Sequence, residues 1–137
     1  MPETPSYFPG LTGFENVAYS GMISGMPRGE ARRRAHEVLE YVRLDEERYR
    51  PVDEYSTGMR QRVKLAQAIV HDPDLVLLDE PAAGLDPEGR AQMLDLVKRL
   101  ADFDIDVIIS SHVLTDIEQT CDWVVMLDAG EIGRAHV

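Results

Sequence analysis

Leu75-Val76-Leu77-Leu78 is an unbroken apolar run, closed off by Pro73 before it and by Asp79-Glu80 after it. A run this short, without polar alternation, reads as a strand covered on both faces, the kind found in parallel sheets. Val107-Ile108-Ile109 repeats the pattern. Between the two, Asp86 followed by Pro87 has the form of an N-cap with proline at the first helical position. Met93, Leu94, Val97, Leu100 and Ala101 then recur at spacings of three and four, which predicts a helix over 90–101. Strand, helix and strand in that order make a crossover unit, so the sheet is parallel here.

Beyond this unit, Leu114, Ile117 and Cys121 predict a third helix with one apolar face. A strand follows from Trp123, a turn over 128–131, and a further strand opening at Ile132. The chain before Pro73 has a different character. Prolines and glycines mark 1–13 as loop. Thr12 and Glu15 stand at capping-box spacing, predicting a short helix that runs to about Val17 before Gly21, Gly25, Pro27 and Gly29 break the pattern. Ala31, Ala35, Val38, Leu39 and Val42 share a helical face. Arg32, Arg33 and Arg34 lie opposite them and read as a solvated face rather than a nucleic-acid contact. Pro51 ends that region, and Val63, Ala66, Gln67 and Val70 predict a helix over 58–71.

Composition narrows the function classes. The 137 residues fit one domain. A net charge of −11 argues against nucleic acid as a partner, although backbone amides, helix N-termini or a bound cation can still hold a nucleotide. One cysteine, Cys121, excludes an internal disulfide and fits a reducing compartment. No apolar run reaches the length of a membrane span, and the first residues lack signal-peptide blocks. The expectation is a soluble, cytoplasmic chain that meets a membrane only through a partner.

In open parallel sheets, ligands bind beyond the carboxyl ends of the strands. Here those ends carry Asp79-Glu80 and Ser110-Ser111-His112. Two adjacent carboxylates can divide the work, one holding Mg²⁺ and the other accepting a proton from water. A histidine nearby can donate to a developing phosphate charge. Each residue taken alone is more readily a strand cap or a satisfied loop residue than a catalytic group.

Taken with their neighbours, these residues resemble the ATP-binding-cassette (ABC) family over nearly the whole chain. Leu75-Val76-Leu77-Leu78-Asp79-Glu80-Pro81 is similar to the family's Walker B motif with its following glutamate. Ala83-Gly84-Leu85-Asp86-Pro87 resembles the D-loop, and Ser110-Ser111-His112 the switch histidine segment. Tyr55-Ser56-Thr57-Gly58-Met59 sits where the family carries its Leu-Ser-Gly-Gly-Gln signature. The resemblance implies an α/β fold: a partial P-loop NTPase-type parallel sheet over 67–137, with an α-helical subdomain over 6–66. It implies ATP and Mg²⁺ as cofactors, with Asp79 on the metal, Glu80 as general base and His112 on the γ-phosphate. Ser56, Thr57, Gly58 and Met59 would face the nucleotide of an opposite subunit, and Asp86 would couple two sites across a dimer. Glu3 stands at the position of the family's Q-loop glutamine. The implied partners are a membrane-spanning permease and a second nucleotide-binding domain, with the chain peripheral to the inner face of the cell membrane.

Three signature positions depart from the pattern: Tyr55 for leucine, Thr57 for the first glycine and Met59 for glutamine. The form is similar to a variant among bacterial exporter ATPases. The family's phosphate loop, Gly-x-x-x-x-Gly-Lys-[Ser/Thr], occurs nowhere in the 137 residues. The expectation is therefore an N-terminally truncated transporter ATPase that is inactive in isolation. A soluble family ATPase of translation or DNA repair, and a non-catalytic interaction fragment, are the alternative readings.

Overall fold

The computed structural model describes residues 7–128 and 131–136. Helices α1 (Gly13–Ile23), α2 (Arg28–Tyr41) and α3 (Thr57–Ile69) precede strand β1 (Leu75–Asp79). Helix α4 (Pro87–Arg99), strand β2 (Asp106–Ser110), helix α5 (Leu114–Thr120) and strands β3 (Trp123–Asp128) and β4 (Glu131–His136) follow. β1 and β2 pair in parallel, with Leu77 opposite Ile108 and Asp79 opposite Ser110. β3 and β4 form a separate antiparallel pair.

The capping box at the start of α1 is formed in both directions. Glu15 N–H donates to Thr12 Oγ1 and Thr12 N–H donates to Glu15 Oε1, each at 3.0 Å. The helix does not stop at Gly21 as the glycine pattern predicts. It runs on to Ile23, because Gly21 is a close approach: a Cβ there would lie 3.2 Å from Ala31 Cβ and Met26 Sδ. α2 buries Ala31, Ala35, Val38 and Leu39 on the predicted face. It ends through left-handed Arg43 (φ +62°), whose turn lets Leu44 N–H reach back to Leu39 O, well before Pro51. Arg33, 63% exposed, binds Glu37 at 2.5 Å as a solvated helix face does, whereas Arg34 is only 25% exposed and reaches Glu37 at 3.0 Å from the side that faces Asp72.

His36 stacks on Phe14 at 4.3 Å and takes a hydrogen bond at Nδ1 from Arg48 Nη1 at 3.0 Å. Arginine can only donate, so that nitrogen carries no proton. Burial first, then the positive charges of Arg48 and Arg32, hold the imidazole below its usual value of 6.5. Because the folded state binds this proton less readily than the unfolded chain, the contribution to stability is full above pH 6.5 and is lost as pH falls below it. Urea midpoints should therefore drop between about pH 8 and pH 5.5, and by less in His36→Gln. Equal drops in both proteins would contradict this assignment.

One buried cluster runs from α1 to β2, with Leu39, Leu44, Val63, Met93 and Leu100 each at most 2% exposed. α4 adds Met93, Leu94, Leu96 and Val97 to it, while Ala101 lies outside the core. The expectation that β1 is covered on both faces is corrected. Val76 is 4% exposed, but Leu75 and Leu77 are 51% and 69% exposed, and Ile108 beside them is 57% exposed. Side chains alternate across a strand, and among the described residues the core packs on one side of this sheet only. α5 is corrected as well: Leu114 is exposed and Asp116 is the buried residue.

Candidate active site

The parallel register sets Asp79 and Ser110 side by side, and Ser110 Oγ donates to Asp79 Oδ1 at 2.8 Å. One residue later, Glu80 N–H donates to Ser110 O at 2.8 Å, extending the ladder past the strand end. Glu80 then turns left-handed, at φ +48°, a conformation that costs a non-glycine residue energy and clusters at functional sites. The turn brings its carboxylate to His112. Oε1 accepts from His112 N–H at 3.1 Å and lies 2.5 Å from His112 Nδ1. An ionised carboxylate only accepts, so the ring bond places a proton on Nδ1. His112 is 87% exposed at its side chain, leaving its other ring nitrogen open to solvent.

A second group forms around the start of α3. Ser56 is the N-cap, its hydroxyl accepting from Met59 N–H at 3.2 Å. Thr57 and Gly58 open the helix, where free amides and the helix dipole favour an anion. This turn packs on the loop after β1. Gly84 is left-handed (φ +78°), and a Cβ on it would come within 3.1 Å of Thr57 Cγ2. Gln61 Nε2 donates to Ala83 O at 3.0 Å. Asp86 caps α4 by accepting from Gly89 N–H at 2.8 Å, as Asp-Pro predicts, so one carboxylate oxygen is already engaged.

Tyr55 is no loose departure from the family's leucine. It is 5% exposed and its hydroxyl donates to Glu47 O, and its ring leaves Gly13 no room for a side chain. Gly13→Ala should thus destabilise the chain by about 1–3 kcal/mol through overpacking. Tyr55→Phe in the same background should recover part of the loss in chemical denaturation; a neutral Gly13→Ala would disprove the contact.

The structure brings Asp79, Glu80 and His112 together, and sets Thr57 and Gly58 against Gly84 and Leu85 of the loop that ends in Asp86, with Ser56 and Met59 joined to each other by the N-cap bond. Glu3 lies outside the described residues. Sequence reasoning missed Gln61 and, above all, Arg90, which reaches Ala82 O at 3.4 Å and pairs with buried Asp116. A charged residue next to Ile117 on the inner side of a short helix was the available signal. Among the described residues, no three His, Cys, Asp or Glu side chains are placed to enclose a metal. Asp79 with Ser110 does offer hard oxygen donors, which fits Mg²⁺, an ion that takes one or two protein ligands beside phosphate and water.

A parallel sheet with this edge, joined to a helical unit whose last helix starts at the site, is the fold of the ABC ATPases. It superposes with TM-score 0.83 on CbiO1 of Clostridium perfringens, part of the cbiONQ ABC transporter complex, at 26% identity over 95% of this chain and 52% of that one. A dimeric ATP-binding cassette bound to ADP and Pi gives TM-score 0.79 at 26% identity, over 95% and 58% of the two chains.

Residues 1–83 match the ABC transporter family model, and the chain belongs to that family. It is 38% identical over 132 residues to the linearmycin resistance ATP-binding protein of Bacillus subtilis, covering 96% of this chain and 42% of that protein. It is 39% identical over 123 residues to the daunorubicin/doxorubicin resistance ATP-binding protein of Streptomyces peucetius, covering 90% and 37%. The bacitracin transport ATP-binding protein of Enterococcus faecalis is 37% identical over 131 residues, with 95% and 42% covered. The chain thus spans less than half the length of these curated relatives.

Proposed function

We propose that this chain supplies the hydrolytic and signature elements of an ABC transporter ATPase that drives export. The observation that carries the reading is the joined edge of β1 and β2, where Asp79 and Glu80 are held by Ser110 and His112. Glu80 would accept a proton from the attacking water. His112, oriented through Nδ1, would present its other nitrogen toward the phosphoryl group. Asp79, steadied by Ser110, would hold Mg²⁺, which when bound offsets phosphate charge as a Lewis acid. The α3 N-terminus, Ser56 to Met59, would bind the nucleotide of a second cassette, with Asp86 linking the two sites.

Charge supports the need for outside cations. Residues 67–137 carry fifteen Asp and Glu against four Lys and Arg, so the whole net charge of −11 falls in the hydrolytic part. A triphosphate bound there requires a metal and a phosphate-loop lysine from outside these 137 residues. The bare sheet face of Leu75, Leu77 and Ile108 is where that loop-bearing portion would pack. The relatives' names, in resistance and bacitracin transport, favour outward transport, with a permease as the membrane partner. No helix among the described residues is long and apolar enough to cross a membrane, so this chain would sit peripherally on the permease at the inner face.

The test is a chimera joining the upstream, loop-bearing part of the Bacillus subtilis relative to this chain. The 137-residue chain alone should show no measurable ATPase activity, and the chimera should hydrolyse ATP in a Mg²⁺-dependent way. A folded chimera without turnover, or chimera turnover that Glu80→Gln leaves intact, would overturn the proposal, and turnover by the chain alone would overturn the need for outside cations.

A further inference from the structure

At the opposite end of the sheet from Glu80 and His112, a cavity of about 390 Å³ opens between α2, the end of α3 and the turn leading into β2. That volume lies within the range of about 300–1,000 Å³ typical of small-molecule sites. Its floor is apolar, built from Val38, Ile69, Leu100 and Ile105, all of which are buried. One wall is a pair of aromatic rings: Tyr41 and Phe103 meet edge to face at 5.7 Å. Tyr41 is fixed in place, because its hydroxyl donates to Leu96 O at 2.5 Å, so the wall is formed before anything binds.

The rim is acidic and incompletely neutralised. Glu37, Asp72 and Asp104 stand on it with one cation, Arg34. Arg34 is committed to Glu37 at 3.0 Å and stands 3.7 Å from Asp72. The Asp104 backbone N–H donates to Ala101 O at 3.1 Å, but its carboxylate has no hydrogen-bond or ion-pair partner among the described residues. An apolar floor rejects a small hydrated ion, and the rim repels an anion. A cation near aromatic rings gains from their quadrupoles as well as from the carboxylates.

We propose that this cavity binds a small organic cation with an apolar body, an aryl- or branched-alkyl-ammonium, its charge at the Asp72–Asp104 rim beside Tyr41 and Phe103. The occupant would touch α2 on one side and the Leu100–Ile105 turn on the other. Binding therefore ties the helical part of the chain to the sheet, away from the nucleotide edge. The proposal stands apart from the functional reading above, since no nucleotide enters it.

The probe is benzyltrimethylammonium, titrated into the 137-residue chain and followed by NMR. Saturable shifts are expected at Tyr41, Phe103 and Ile105, at affinity on the order of millimolar for a ligand this small. Neutral phenylacetamide should bind more weakly, and phenylacetate should not compete. Asp104→Asn, which tolerates the left-handed backbone of that position (φ +59°), should weaken the cation by about three- to fivefold. Phenylacetate binding as well as the cation, an unaffected Asp104→Asn, shifts elsewhere on the chain, or no saturable shift at all would each overturn the proposal.

Discussion

Glutamine in place of Glu80 should lower ATP turnover of the loop-completed chimera by about 100- to 10,000-fold, with nucleotide binding and the unfolding midpoint little changed. The substitution preserves most of what the structure asks of this side chain. Gln Oε1 can still accept from His112 N–H, the bond that Glu80 makes at 3.1 Å. The left-handed backbone at φ +48° is unaltered in kind. What disappears is the capacity to take a proton, and with it the charge that fixes His112 through Nδ1. His112→Ala separates the two contributions, since it removes the ring and leaves the carboxylate. If Glu80→Gln retained more than about a tenth of the turnover, Glu80 would not be the base. If His112→Ala were as damaging as Glu80→Gln and the double variant no worse, the two would act as one unit.

The ring bond also refines the part expected of His112. In sequence terms it was a phosphate contact; in the fold its Nδ1 is occupied by Glu80. Its reach toward a ligand must therefore come through the other nitrogen, or through release of the carboxylate. In the proposed mechanism either path runs through the Glu80–His112 bond. Elements were legible where a local rule governs them. The capping box, the Asp86-Pro87 start of α4, the α2 face and both parallel strands follow from spacing alone. The meeting of Asp79 and Glu80 with the 110–112 segment was legible too, because a parallel crossover must bring those strand ends to one edge.

What sequence could not carry were properties set by neighbours distant in the chain. Gly21 reads as a helix breaker, yet sits inside α1 because Ala31 and Met26 press against it. Tyr55 reads as a variation in a motif, yet fits a space that only a glycine at position 13 leaves open. The apolar run at 75–78 correctly gives a strand, but whether both faces are covered depends on what packs there. Among the described residues only the Val76 face is packed.

Arg90 is a partly exposed residue whose loss should nonetheless cost the fold several kcal/mol, on the order of a buried-pair break. It comes from the first turn of α4, reaches back to Ala82 O in the loop after Glu80, and pairs with Asp116 of α5, the helix that follows His112. One side chain thus joins the two segments that carry Glu80 and His112. Asp116 is 8% exposed, so Arg90→Met leaves a nearly buried carboxylate without its cation. Breaking such a pair typically costs about 3–5 kcal/mol, and the 26% exposure of the Arg90 side chain places this one toward the lower end. Asp116→Leu should cost less, because the guanidinium keeps its bond to Ala82 and can turn toward water. Removing both charges should cost less than Arg90→Met alone, since no unpaired charge then remains buried. Guanidinium denaturation of the three variants measures this ordering directly. Should Arg90→Met and Asp116→Leu lose the same stability and the double variant lose their sum, the pair contributes no coupling, and another contact must hold the 82–86 loop to the helix behind His112.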